Sequence, residues 1–187
     1  MSTSTPWGPS QGKTVLSLGI IQYSTAGHGG IHVCPSLNAQ IHEAWREENG
    51  WYEEDCDWAV VAYHFPGAFK FAEVTSAIIT LKNWQPHQYT RVTGQPVTLK
   101  ESHTLREEAF REANKQSMVS VSVVGDWHKA VPKGMVGVTA CIGGRNERGQ
   151  YSGPLRSFLV PAEEYRARDG QSFVVDLAQH QEVEAPF

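Results

Sequence analysis

The sequence predicts an α+β fold: a mostly antiparallel sheet with a central group of three to four helices. Three observations carry this. Apolar residues alternate with period two near both ends, the middle of the chain shows helical periodicity, and turn residues separate the segments. Of 187 residues 40% are hydrophobic and 19% charged, with six tryptophans, so a sizeable core is available and wholesale disorder is excluded. Residues 1–12 read as a flexible lead-in and 13–187 as a single α+β domain, helical over about 35–115 and strand-rich over about 116–177.

Taken in order, the lead-in is rich in Ser, Thr, Pro and Gly. Lys13 to Tyr23 is β-branched and apolar enough for one strand, with Leu16, Leu18 and Ile20 on a shared face. Gly27-His28-Gly29-Gly30 breaks it, and Ile31 to Cys34 forms a short second strand. Leu37, Ile41, Ala44 and Trp45 then fall at helical spacing until Asn49-Gly50. Glu53, Glu54, Asp55 and Asp57 suit the N-terminus of the next helix, where free N–H groups favour carboxylates. Tyr52, Cys56, Val60 and Tyr63 line its buried face as far as Pro66. Val74, Ala77, Ile78 and Leu81 make a third apolar stripe, and Thr104 to Glu107 matches a capping box opening a helix to about Lys115. From there the period is two: Val119, Val121 and Val123, then Val136, Val138, Ala140 and Ile142. Short strands follow at Ser157 to Val160 and Ser172 to Leu177, with one helical turn after Pro161.

Charge and cysteine content narrow the function classes. No apolar run approaches the roughly 18 residues of a membrane span, and Met1 to Ser10 lacks the positive charge and apolar stretch of a secretory signal. Three widely spaced cysteines, Cys34, Cys56 and Cys141, fit a reducing cytoplasm better than a disulfide framework. Net charge is −4, unevenly spread. From Met1 to Ala59, Lys13 and Arg46 face seven acidic residues, whereas between Lys129 and Arg156 five basic residues face Glu147 alone. An acidic first third suits docking on a basic partner. Basic residues are too sparse for phosphate neutralisation, so direct nucleic-acid binding is not expected.

Several residue sets bear on chemistry. His28, His32 and Cys34 have even spacing and project to one side of an extended chain; with a carboxylate such as Glu53 or Asp57 they would suit zinc. The glycines argue for a turn that breaks this shared facing, and the spacing matches no compact zinc motif, so a structural turn with no metal is the simpler reading. Gly8-Pro9-Ser10-Gln11-Gly12 matches the nucleophile-elbow pattern without its strand-turn-helix context. Cys34, preceding Pro35 at a helix start, is the better placed thiol, with His28 or His64 as base. Cys56 sits among acidic residues that hold it protonated. Arg145 and Arg148, flanked by glycines, are candidates for an anion, with no phosphate-loop or dinucleotide fingerprint beside them. Contact candidates for a protein partner are Glu47, Glu48, Glu53, Glu54 and Asp57.

The string Pro6-Trp7-Gly8-Pro9-Ser10-Gln11, then Gly27-His28-Gly29-Gly30, then Gly50-Trp51-Tyr52-Glu53-Glu54-Asp55-Cys56-Asp57-Trp58-Ala59 resembles an uncharacterised domain family of bacteriophage and conjugative-plasmid proteins. Phe158 to Tyr165 is similar to that family's late segment. The resemblance carries no catalytic residue. It implies a phage- or plasmid-encoded accessory protein in the cytoplasm of a bacterial host, and stand-alone proteins of this kind frequently counter host defence. The first expectation is therefore a binding protein that inhibits a bacterial defence component through a host protein partner. The alternatives are a metal-assisted enzyme acting on a nucleotide or nucleic acid through His28, His32 and Cys34, and a structural phage component. Sequence sets no oligomeric state.

Overall fold

The computed structural model describes residues 3–184. Its fold is α+β, with antiparallel strand pairing throughout the described residues. The chain divides into two compact units, Met1–Arg106 and Glu107–Phe187. The boundary between these units falls within a helix, His103–Asn114.

The first unit opens with a hairpin where a flexible lead-in was expected. Strand β1 (Ser4–Thr5) pairs with β2 (Gly8–Pro9), and Thr5 Oγ1 bonds the Gly8 carbonyl at 2.7 Å to hold the turn. Next comes a four-stranded meander of β3 (Gly12–Ser17), β4 (Ile20–Ser24), β5 (Gly29–Val33) and β6 (Trp51–Glu53), in that spatial order. Lys13 to Tyr23 is thus two strands and not one. Gly19 takes φ 83°, a left-handed conformation open to glycine, so the chain reverses there and leaves Leu18 96% exposed.

Helix α1 is only Pro35–Asn38, shorter than the Leu37–Trp45 periodicity predicts. Side chains take over the backbone groups that a longer helix would use. The Arg46 guanidinium donates to the carbonyls of Ala39 and Ile41, and Asn38 Nδ2 donates to the Glu47 carbonyl at 2.7 Å. Ile41 and Trp45 are still buried, so the apolar spacing marked core residues correctly while naming the wrong local structure. The acidic cluster runs up to a helix N-terminus, with Asp57 at the N-cap of the next helix, but it places no acidic residue in the first turn and makes no side-chain cap bond. β6 takes Glu53, a turn takes Glu54 to Asp57, and helix α2 begins at Trp58 and ends at His64.

A 3-10 turn at Pro66–Ala68 leads to α3 (Phe71–Trp84), whose Ala77 and Leu81 are buried as the apolar stripe predicts. Glu73 reaches back to the Lys70 N–H at 2.7 Å and caps its start. Helix α4 (Pro86–Thr93) starts on proline and stops at Gly94, φ 70°. Helix α5 (His103–Asn114) is capped by Ser102, whose Oγ accepts the Leu105 N–H, two residues before the Thr104 that the capping-box match named. Ile20, Ile31, Val33 and Tyr52 from the sheet pack with Ala59 to Ala62 of α2 and with Leu81. Each buried aliphatic side chain of this size stabilises the fold by roughly 1.5–3 kcal/mol.

The second unit is a five-stranded antiparallel sheet built from β7 (Met118–Val124), β8 (Met135–Ile142), β9 (Arg156–Pro161), β10 (Val174–Val175) and β11 (Gln181–Val183), in the order β10-β7-β8-β9-β11. A bulge between Ser120 and Ser122 interrupts the alternation predicted for β7. Met118, Val138, Ala140, Phe158, Val160 and Phe173 form its core, with α6 (Ala162–Arg166) following Pro161. The strand expected over Ser172 to Leu177 shrinks to two residues. No helix among the described residues is long and apolar enough to cross a membrane.

Candidate functional site

Strand register in the first unit sorts side chains onto two faces. Ile20 pairs with Val33 and Ile31 with Tyr52, and these belong to the helix-packed core. On the other face Tyr23 lies opposite Gly30, Ile21 and Trp51 opposite His32, and Glu53 opposite Gly30. Trp51 is the centre of this face: its ring contacts Trp7 at 5.8 Å edge-on, Tyr23 at 5.4 Å and His32 at 4.7 Å. Gly30 makes the cluster possible, because a methyl group there would collide with the Trp7 ring and the Tyr52 carbonyl. The sequence signalled this face only as isolated aromatics. Which of them meet depends on register.

Three donors gather beside it. His28, Glu53 and Glu54 bring one ligand atom each to within 4.8 Å of one another. A Thr25 turn fixes the His28 backbone, with Thr25 Oγ1 donating to the His28 carbonyl at 2.7 Å. Glu53 Oε2 accepts the Asp55 N–H at 2.7 Å. Glu54 lies against Gly29, where an added methyl carbon would stand 2.5 Å from Glu54 Oε2. His32 and Cys34 do not join this set. His32 packs against Trp51 with its ring tilted by 53°, and burial lowers its pKa from the ordinary 6.5. Cys34 sits before α1 with its Sγ 3.3 Å from Ser36 Oγ, and that hydrogen bond, with the Leu37 N–H, lowers the thiol pKa.

His64 is no base for Cys34. Its Nδ1 bonds the Val60 carbonyl at 2.8 Å, and its Nε2 accepts the His42 N–H at 3.1 Å, so both ring nitrogens are engaged as a neutral tautomer. Burial lowers its pKa from 6.5. Cys56 lies half-buried in a turn and not on a buried helical face. Desolvation, then the charges of Asp57, Asp55 and Glu53, raise its pKa, the direction its sequence neighbours imply.

The acidic partner candidates separate into three places. Glu47 and Glu48 lie on the loop before β6, where Glu48 lines a cavity of about 220 Å³ together with His32, Arg46 and Gly50. Glu53 and Glu54 flank the aromatic face. Asp57 is half-buried and accepts from Gln85 Nε2 at 3.0 Å; burial first, and Glu53 second, raise its pKa. None of these five carboxylates forms an ion pair among the described residues.

In the second unit Arg145 is committed to its own loop. It donates to the carbonyls of Gly149 and Val121 and lies over the Tyr151 ring at 4.6 Å. Arg148 is exposed and lines a cavity of about 550 Å³ with Arg111, Lys115, Glu108, Glu112 and Glu147. Arg111, on the amphipathic α5, escaped notice because its sequence neighbours read as a solvated helix face. The mixed charge of this cavity makes it a poor trap for a simple anion.

Neither curated proteins nor solved structures return a match to the chain. A family match covers residues 1–115, taking in the hairpin, the four-stranded sheet, the aromatic face and the His28 cluster. Phe158 to Tyr165 lies beyond the matched stretch. The chain belongs to the family described as Domain of unknown function (DUF7007).

Proposed function

We propose that the chain is a binding protein whose acidic, aromatic face in the first unit docks a basic surface of a host protein. In this reading it is a phage- or plasmid-encoded accessory protein of the bacterial cytoplasm, and docking inhibits a component of host defence. One observation carries the docking step: carboxylates with no ion pair among the described residues lie at two margins of a sheet face centred on Trp51. Glu53 and Glu54 stand at one margin, and Glu48 stands beside His32 at another. An aromatic centre with a charged rim is a common binding anatomy, and rim charges chiefly set the rate and salt dependence of encounter. His64 weighs against a Cys34–His64 pair, since both of its ring nitrogens are engaged elsewhere.

The test is affinity capture from bacterial lysate, followed by titration of the purified partner against wild type and a Glu47→Lys/Glu48→Lys/Glu54→Lys variant. The expected result is a stoichiometric partner whose affinity falls tenfold or more in the variant. Raising salt should also weaken binding to the wild type. A partner bound equally well by both proteins, independently of salt, overturns the reading.

A further inference from the structure

We propose that His28, Glu53 and Glu54 form a binding site for a divalent metal ion of the zinc class. The inference stands on the donor geometry and does not depend on the partner reading.

The site combines one imidazole and two carboxylates, drawn from the turn before β5 and from the end of β6. This is a nitrogen and oxygen donor set of the kind zinc accepts, at about 2.1 Å per bond. Donors around a tetrahedral ion with bonds of about 2.1 Å lie about 3.4 Å apart, so the present separations, up to 4.8 Å, close when the side chains each shift by about 1 Å. The backbone is already arranged for it. The Thr25 hydroxyl holds the His28 turn, the Asp55 N–H occupies Glu53 Oε2 and leaves the other oxygen open, and Gly29 makes room for the Glu54 carboxylate against the strand. Two adjacent carboxylates without a cation among the described residues repel each other, and one divalent ion cancels their charge. The imidazole selects for zinc over magnesium, which prefers oxygen and water ligands. Of the sequence pattern His28, His32 and Cys34, the proposed site takes His28 alone. Glu53 is a completing carboxylate that the sequence suggests, and Glu54 belongs to the same acidic cluster.

The test is calorimetric titration of Zn²⁺ into the full chain purified through chelator, repeated with Glu53→Gln/Glu54→Gln, His28→Ala and the control Glu47→Gln/Glu48→Gln. One ion per chain is expected, with affinity reduced at least tenfold in the first two variants and unchanged in the control. Circular dichroism confirms that each variant is folded. Co²⁺ loading adds a readout of ligand identity: a nitrogen and oxygen site shows ligand-field bands without thiolate-to-cobalt charge transfer. No binding of Zn²⁺, equal affinity in the Glu53→Gln/Glu54→Gln variant, or a thiolate charge-transfer band from Cys34 or Cys56 overturns the proposal.

Discussion

Replacing Tyr52 by phenylalanine deletes one oxygen atom and tests how the acidic loop is held. Tyr52 is fully buried, and its hydroxyl donates to Asn38 Oδ1 at 2.6 Å while accepting the Glu47 N–H at 3.2 Å. Asn38 in turn donates from Nδ2 to the Glu47 carbonyl at 2.7 Å. The three groups clamp the loop bearing Glu47 and Glu48 onto β6. Burial raises the Tyr52 pKa, so the phenol stays protonated and keeps its donor role. In Tyr52→Phe the Asn38 oxygen loses a partner in a buried setting, and the Glu47 N–H loses one where it is only partly buried. An orphaned buried group costs about 1–3 kcal/mol. For a chain of this length each kcal/mol lowers Tm by about 2–4 °C. The expected outcome is a loss of about 1–3 kcal/mol in urea unfolding followed by circular dichroism, with the slope m unchanged. A double-mutant cycle with Asn38→Ala should show coupling above about 0.5 kcal/mol. A Tyr52→Phe variant within about 0.5 kcal/mol of wild type would refute the clamp.

His64 makes stability pH-dependent. Its folded pKa is below the ordinary 6.5, so the unfolded chain takes the proton first. Its contribution is complete above pH 6.5 and is lost as pH falls from there to the folded value. Its ring resonances in NMR should titrate below 6.5, and titration at or above that value contradicts the assigned tautomer. Gly30→Ala should expel Trp7 from Trp51 and cost about 1–3 kcal/mol through overpacking, seen as faster proteolysis of the N-terminal hairpin; wild-type resistance would show that the sheet absorbs the methyl group. Alkylation by iodoacetamide should label Cys34 before Cys56, with Cys141 last because it is buried, and mass spectrometry reads the order directly.

Much of the fold was legible where periodicity and burial agree. The stripe Val74, Ala77, Ile78 and Leu81 is helix α3, and Val136, Val138 and Ala140 lie in β8. The misreadings share a cause. Ile41 and Trp45 have helical spacing, but Arg46, Asn38 and Tyr52 supply hydrogen bonds that fold their segment as turns, and no local pattern registers partners that distant. Leu18 reads as one more strand residue until Gly19 reverses the chain.

The sequence by itself determined the α+β class, the acidic first third and the residue types available for binding, because composition and period-two or period-3.6 patterning are local properties. Tertiary structure alone decided which of those residues meet. Register places Trp51 against His32 and Tyr23, and glycines at 29 and 30 admit Glu54 and Trp7 where a side chain would block them. His28 therefore has Glu53 and Glu54 as neighbours, although His32 and Cys34 stand closer in the chain. A strand fixes the side on which a residue projects, and the strand paired beside it fixes what that residue touches.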